Sequence, residues 1–310
     1  MSRSSRKRIQ FYLMPLGSML QTLLPRWLAL RIAWLLLALA FPFLKEQRRV
    51  LADNARRILG RELKPGEGDA YARRVLRNYA TCVADLLRAP QMTRRRTLDR
   101  VVAHGSHREP LDRVLAGGKP AILVTGHIGN WDLAGVYLAY RNYPIVAVFE
   151  RISQGMSEVF NRFRGTSGME LVAMGDRDAM DQAIASGKLF VLVADRDLKG
   201  NGLELPWLSG RRKFPRGAAA FALRFNVPIV IGYMVLEPGD AGQRYRAEVE
   251  PPIEFQSSGD FAADVDALTA RVTRQLEQVV ARFPEQWFVL QPRWIEKGGD
   301  DEARVSQGSR

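Results

Sequence analysis

The sequence predicts an α/β fold: a largely parallel central sheet covered by helices, preceded by an apolar N-terminal membrane-attachment helix. Two observations carry this. From Pro120 onward, short continuous apolar runs alternate with helical stretches, the pattern of strands buried on both faces and wrapped by helices. Ahead of them, the first fifty residues hold two apolar stretches set among arginines, a combination suited to a bilayer surface.

Taken in order, a basic leader from Arg3 to Arg8 precedes an apolar stretch at 11–24. Residues 27–44, WLALRIAWLLLALAFPFL, follow, broken by Arg31 and Pro42. That run is about long enough to cross a hydrocarbon core. Arg26 on one side and Lys45, Arg48 and Arg49 on the other put positive charge at both ends. With Arg31 inside, this argues for a monotopic hairpin or an interfacial helix over a simple span. A buried core helix is an open alternative. So is a signal peptide, since Ala38-Leu39-Ala40 mimics a cleavage site, although the leader is long for one.

Apolar residues then recur at helical spacing over 47–59, with arginines between them. Pro65, Gly66 and Gly68 break the pattern across 60–69, and 70–87 reads as a second amphipathic helix ending before Pro90. Strands are expected at 121–125, 145–149, 171–172, 189–193, 229–235 and 245–249, with helices at 131–139, 157–163, 179–185 and 217–225. A long helix at 261–283 closes the chain, and the polar residues after Lys297 read as a disordered tail. The expected organisation is an attachment segment at 1–46, one domain at 47–297 and a tail at 298–310.

Composition narrows the chemistry. A chain of 310 residues can bury a substantial core. Its single cysteine, Cys82, excludes an internal disulfide and fits a reducing compartment. Three histidines and one thiol assemble no zinc-site spacing, so no metal is expected. The net charge of +13 calls for an anionic partner, either nucleic acid or lipid headgroups. No interleaving of aromatic and basic residues supports nucleic acid, and that class leaves the apolar N-terminus unexplained.

The segment most able to carry chemistry is 121–132, AILVTGHIGNWD. Ligands of such sheets gather at the carboxyl ends of strands. Gly126 turns the backbone off the strand, His127 lands just beyond it, Asn130 is a suitable N-cap, and Asp132 falls in the first helical turn. In a continuous helix five residues would set His127 and Asp132 roughly 140° apart, at about 100° per residue. They meet only if His127 lies in the turn. An aspartate on one imidazole nitrogen fixes the tautomer and makes the other a better base, suited to deprotonating an alcohol that attacks a thioester. His104 and Glu109 share the spacing but follow no apolar strand, and read as a solvated helix start.

With those residues in place, the strand followed by His-x4-Asp resembles the lysophospholipid acyltransferase superfamily. The longer string VTGHIGNWDLAG is similar to the branch of the late lipid A acyltransferases and the phosphatidylinositol mannoside acyltransferases. The likeness runs over about 48–294. It implies that the loop after 189–193, with Asp195 and Asp197, borders the active site and holds the catalytic arrangement. It likens Glu204 to a glutamate of the mannoside branch, and sets Phe214-Pro215-Arg216-Gly217 against the acyl or acceptor pocket, where the charge of Arg216 could meet a phosphate or the pantetheine arm of the donor. Arg164 aligns with an arginine position of the lipid A branch and is expected to support an oxyanion or an acceptor phosphate. Pro284-Glu285-Gln286-Trp287 resembles the C-terminal block, with Trp287 and Trp294 expected either at the bilayer interface or in the core. The lipid A branch often carries Glu where this chain has Asp132, and the Asp195-Arg196-Asp197-Leu198 string looks more like the mannoside branch, so the acceptor stays open.

The expected function is therefore O-acyl transfer, with no bound cofactor. An acyl carrier protein or coenzyme A thioester is the co-substrate, and a membrane glycolipid, lipid A precursor-like or mannoside-type, is the acceptor. Membrane lipids and an acidic carrier protein are the expected partners, at the cytoplasmic face of a bacterial inner membrane. A non-catalytic membrane scaffold is the rival of another class.

Overall fold

The computed structural model describes residues 23–88, 92–102, 108–150, 167–239 and 244–295. Helices and strands are numbered below over those residues alone.

Seven strands form one sheet in the order β1 (Val101–Val102), β9 (Tyr245–Val249), β8 (Ile229–Leu236), β2 (Ala121–Thr125), β5 (Leu189–Val193), β3 (Ile145–Phe149) and β4 (Glu170–Ala173). All neighbours are parallel except β8 and β9. The largely parallel sheet read from the apolar runs is thus present. Its centre is buried on both faces: every residue of β2 and β8 is buried. Alternation along β2 divides the core, with Ala121 and Leu123 packing to one side and Ile122 and Val124 to the other.

On the first face lie α2 (Lys45–Leu59), α3 (Glu67–Leu87) and α6 (Trp131–Tyr140); on the second, α7 (Arg177–Ala185), α8 (Gly217–Phe225) and α9 (Phe261–Arg282). Two short helices, α4 (Arg94–Asp99) and α5 (Glu109–Val114), connect α3 to β2. These bounds match the sequence periods closely; the helix expected at 157–163 lies outside the described residues.

The N-terminal apolar run forms α1 (Arg26–Ala40), continued by a 3-10 turn at Phe41–Phe43. Among the described residues it is the one helix long and apolar enough to cross a membrane, by length and composition. One side docks on α3: Ala29 and Leu30 are buried, Trp34 Nε1 donates to Thr81 Oγ1 at 3.1 Å, and Arg26 binds Asp85 through two 2.7 Å bonds. The other side presents Trp27, Leu35, Leu36, Leu39 and Phe43 to the outside.

Besides the short β1 and α4, a larger element has no counterpart in the sequence reading: an antiparallel hairpin of β6 (Leu203–Trp207) and β7 (Gly210–Phe214). Pro206 and the run Arg211-Arg212-Lys213 conceal it, because proline and charge are poor strand markers. It rests on the second core through Trp207 and Phe214. A 3-10 turn at Pro284–Gln286 then carries the chain back to the open end of the sheet.

Candidate active site

The site follows from strand register. In the parallel pair β2–β5, Ala121 faces Leu189 and Thr125 faces Val193. The second residues beyond the two strands, His127 and Asp195, must therefore emerge side by side. Ala194 N–H donates to Thr125 O at 2.9 Å and extends the ladder by one step. Asp195 then meets His127 twice: the His127 backbone N–H donates to Oδ2 at 2.8 Å, and the ring Nδ1 lies 2.6 Å from Oδ1. Gly126 leaves room for this, since a Cβ there would stand 3.2 Å from the Asp195 carboxyl.

Burial alone would push the Asp195 carboxyl up. The charge and hydrogen bonds of His127, with Arg212 behind, instead hold it well below the usual carboxylate range. An ionised carboxylate only accepts, so Nδ1 carries a proton, and in the neutral ring the lone pair falls on Nε2. The His127 side chain keeps 16% of its surface while Asp195 has 1%, so the free nitrogen belongs to the more open member. This geometry suits a general base whose tautomer is fixed from behind.

The sequence assigned the orienting role to Asp132, and the structure corrects this. The partner at Nδ1 is Asp195, which the β2–β5 register brings to the turn. Asp132 is buried in the first turn of α6, where the helix dipole favours a carboxylate. Asn130 is the N-cap as expected: its Oδ1 accepts from Leu133 N–H at 3.1 Å. Its Nδ2 donates to Tyr245 Oη at 3.2 Å.

The His127 turn is held on two further sides. Asn130 N–H donates to Met234 O of β8 at 2.7 Å, and Gly129 N–H to Gln286 O at 2.8 Å. Phe288 N–H donates to His127 O at 2.7 Å. At Gly129, φ is +59° and a Cβ would stand 2.0 Å from Met234 O, so only glycine fits. Trp131 sets its ring edge-on to the His127 ring, with centroids 4.9 Å apart.

The remaining candidates separate. Asp197 spends its carboxylate on the loop, accepting from Lys199, Gly200 and Gly202 N–H at 3.1, 3.0 and 2.8 Å. Glu204 pairs with Arg211 across the hairpin at 2.6 Å. Arg216 is engaged by Asp266 at 2.5 Å and by Asn201 O at 2.8 Å. Arg164 lies outside the described residues.

Two residues enter that the sequence reading had not placed here. Trp287, buried completely, donates Nε1–H to Asp195 Oδ2 at 3.0 Å. The resemblance marked its block but not this role. Arg212, 1% exposed, lies behind the pair with NH2 3.4 Å from Asp195 O and its guanidinium 4.7 Å from the Trp287 ring centroid. Burial pulls Arg212 down to about 10, against the pull of Asp195, so it stays charged at neutral pH. Nothing in its spacing distinguishes it from its neighbours Arg211 and Lys213.

Among the described residues no cluster of His, Cys, Asp and Glu has the arrangement of a metal site. Cys82 is buried in α3, and burial pushes its thiol up, which suppresses it as a nucleophile. Beside the turn, an apolar cavity opens between α6 and the sheet, lined by Thr125, Trp131, Ala134, Leu138, Val191 and Met234 among others.

Residues 2–296 match the family model of bacterial lipid A biosynthesis acyltransferases. The chain is 30% identical over 229 residues to a phosphatidylinositol mannoside acyltransferase of Mycobacterium tuberculosis (strain CDC 1551 / Oshkosh), covering 71% of this chain and 69% of the relative. It is 27% identical over 274 residues to a phosphatidylinositol mannoside acyltransferase of Mycolicibacterium smegmatis, covering 84% and 83%.

Proposed function

The chain belongs to the family of bacterial lipid A biosynthesis acyltransferases, and from that premise we propose that it moves a fatty acyl group from a thioester to a hydroxyl of a membrane glycolipid, with His127 as general base. The observation that carries this is the 2.6 Å contact of His127 Nδ1 with Asp195, which leaves Nε2 to work.

Nε2 takes the proton of the acceptor hydroxyl as its oxygen attacks the thioester carbonyl. The tetrahedral intermediate collapses, the carbon–sulfur bond breaks, and the thiolate receives the proton back from Nε2. Asp195 stabilises the imidazolium between the two transfers. No Ser or Cys accompanies His127 in its turn, so transfer runs in one step without an acyl-enzyme. The cavity beside Trp131 is suited to the first carbons of the acyl chain, being lined mostly by apolar side chains.

The donor is an acyl carrier protein or coenzyme A thioester; the positive charge of the chain favours an acidic carrier. For the acceptor, the names of the relatives favour a mannosylated phosphatidylinositol, with a lipid A precursor as the second reading from the family description. Work on such lipids with cytoplasmic thioesters favours a location at the inner face of the plasma membrane, with α1 as the attachment. Of the residues expected to support the base, Asn130 caps the helix beside it and Asp197 shapes the loop that presents Asp195, while Glu204 and Arg216 are engaged with Arg211 and Asp266.

The test is acyl transfer by detergent-solubilised protein, offered radiolabelled acyl thioesters of both carriers and extracted membrane glycolipids. We expect a labelled lipid that is lost in His127→Ala, with its mass identifying the acceptor. Equal labelling by the variant removes His127 as base. No labelling by folded wild type, with any donor or acceptor, turns the assignment toward the scaffold.

A further inference from the structure

A buried line of polar side chains joins the apolar N-terminal helix to the His127 turn. It starts at Arg26, the first residue of α1, which donates to Asp85 Oδ1 and Oδ2 at 2.7 Å each. Arg100, just after α4, adds a bond to Oδ1 at 2.8 Å. Tyr245, the first residue of β9, donates its hydroxyl proton to Asp85 Oδ2 at 2.7 Å. The same phenol oxygen accepts from Asn130 Nδ2 at 3.2 Å, and Asn130 Oδ1 caps Leu133 N–H. Asp85, Tyr245 and Asn130 are all buried, so each relies on its neighbours in the line for hydrogen bonds.

Every bond in the line has its direction set by the one before it. Burial would push the Asp85 carboxyl up, but the hydrogen bonds and charge of Arg26, with Arg100 beside it, hold it below the usual range. An ionised carboxylate only accepts. Burial and the Asp85 charge keep the Tyr245 phenol protonated. Its single proton therefore points to Asp85, and its lone pairs are left for Asn130. That acceptor settles how the Asn130 amide is turned, with Nδ2 to the tyrosine and Oδ1 to the start of α6. A half-turn of the amide would set Nδ2 against Leu133 N–H, donor to donor, and lose the cap. Asn130 ends the turn that carries His127, and its own N–H is pinned to Met234 O.

We propose that Tyr245 positions the His127 turn through Asn130, and that Arg26 makes this hold depend on the seating of α1; both roles rest on His127 being the base. The helix that attaches the protein then has a second task. Docked on α3, it supplies one of the two guanidiniums that order the line; lifted from α3, it withdraws that charge and loosens the cap beside the base.

The test is acyl transfer by the full chain in mild detergent, from radiolabelled palmitoyl thioesters to extracted membrane glycolipids, with His127→Ala as the blank. Tyr245→Phe removes one oxygen and keeps the ring. We expect its kcat to fall about tenfold with the thioester KM little changed. Arg26→Gln should lower kcat by a smaller factor, since Arg100 still holds Asp85, and Arg26→Lys should recover most of it. On the Tyr245→Phe background Arg26→Gln should cost almost nothing further, as expected of residues acting in series. Amide hydrogen exchange over 127–133 should quicken in both single variants, with α8 on the opposite face unchanged. Wild-type kcat and exchange in Tyr245→Phe would overturn the positioning role. Additive losses at 26 and 245 would overturn the link to α1. If Tyr245→Phe does not fold, Arg26→Gln decides, and a rate and exchange equal to those of Arg26→Lys and wild type overturn the proposal. No transfer by folded wild type removes the base itself and this proposal with it, a result distinct from an unchanged rate in the variants.

Discussion

At His127 the contact of Nδ1 with Asp195 Oδ1 decides which nitrogen is left open, and so which one the proposed base turns to the acceptor. Asp195 is itself fixed from three directions: by the His127 backbone N–H, by Trp287 Nε1–H and by the charge of Arg212. Trp287→Phe keeps the aromatic packing on Trp207 and Trp294 but removes one hydrogen bond to an ionised group. Such a bond is worth about 1.5–3 kcal/mol, so kcat should fall roughly 10- to 100-fold with the thioester KM little changed. Steady-state rates of the folded variant check this, and wild-type kcat would remove Trp287 from the positioning of Asp195. The histidine was legible in the sequence because its strand, glycine turn and helix cap are local. Its carboxylate partner was misassigned, since Asp132 is near in sequence and Asp195 only in register.

Among the elements, the β2–β5 ladder and the crossing of the His127 turn with β8 do the positioning. Six strands, the flanking helices and the long α9 were legible because apolar period and length are properties of single segments. The β6–β7 hairpin was not, as its strands are marked by cross-strand partners and by Trp207 and Phe214 on the core rather than by alternation. Nor was the return of 284–288 to the turn, a contact between distant segments. Gly129 is where these elements converge, with Met234 O in the space of any side chain. Gly129→Ala combines that clash with a positive φ and should destabilise the protein by about 2–4 kcal/mol. A thermal melt of the purified variant measures it, and an unchanged midpoint would mean that the turn is free to move away from β8.

For the whole molecule, the net charge of +13 and the apolar exposed side of α1 both suit a membrane surface, and both are visible in composition and in the first fifty residues. How α1 docks was not, because Arg26–Asp85 and Trp34–Thr81 join it to a helix some fifty residues on. Buried carboxylates also govern the acid limit of the fold. Burial would push Asp85 and Asp195 up, but their cationic partners hold both below the usual range. A depressed carboxylate contributes stability that is complete above its unfolded value of about 4 and is lost as pH falls toward its folded value. The melting temperature should therefore hold between about pH 5 and 7 and drop steeply below about pH 4, with a shallower drop in Asp195→Asn. A wild-type midpoint that rises on acidification contradicts this electrostatic account.

The most direct measurement of the central claim is the initial rate of acyl transfer by Asp195→Asn beside wild type, each shown to be folded by circular dichroism. The amide keeps the shape but no longer stabilises the imidazolium or enforces its tautomer, so kcat should fall by about 10³- to 10⁴-fold, as in other histidine bases that lose their carboxylate. A rate within a few fold of wild type would show that His127 does not depend on Asp195, and the site would have to be built around another pair.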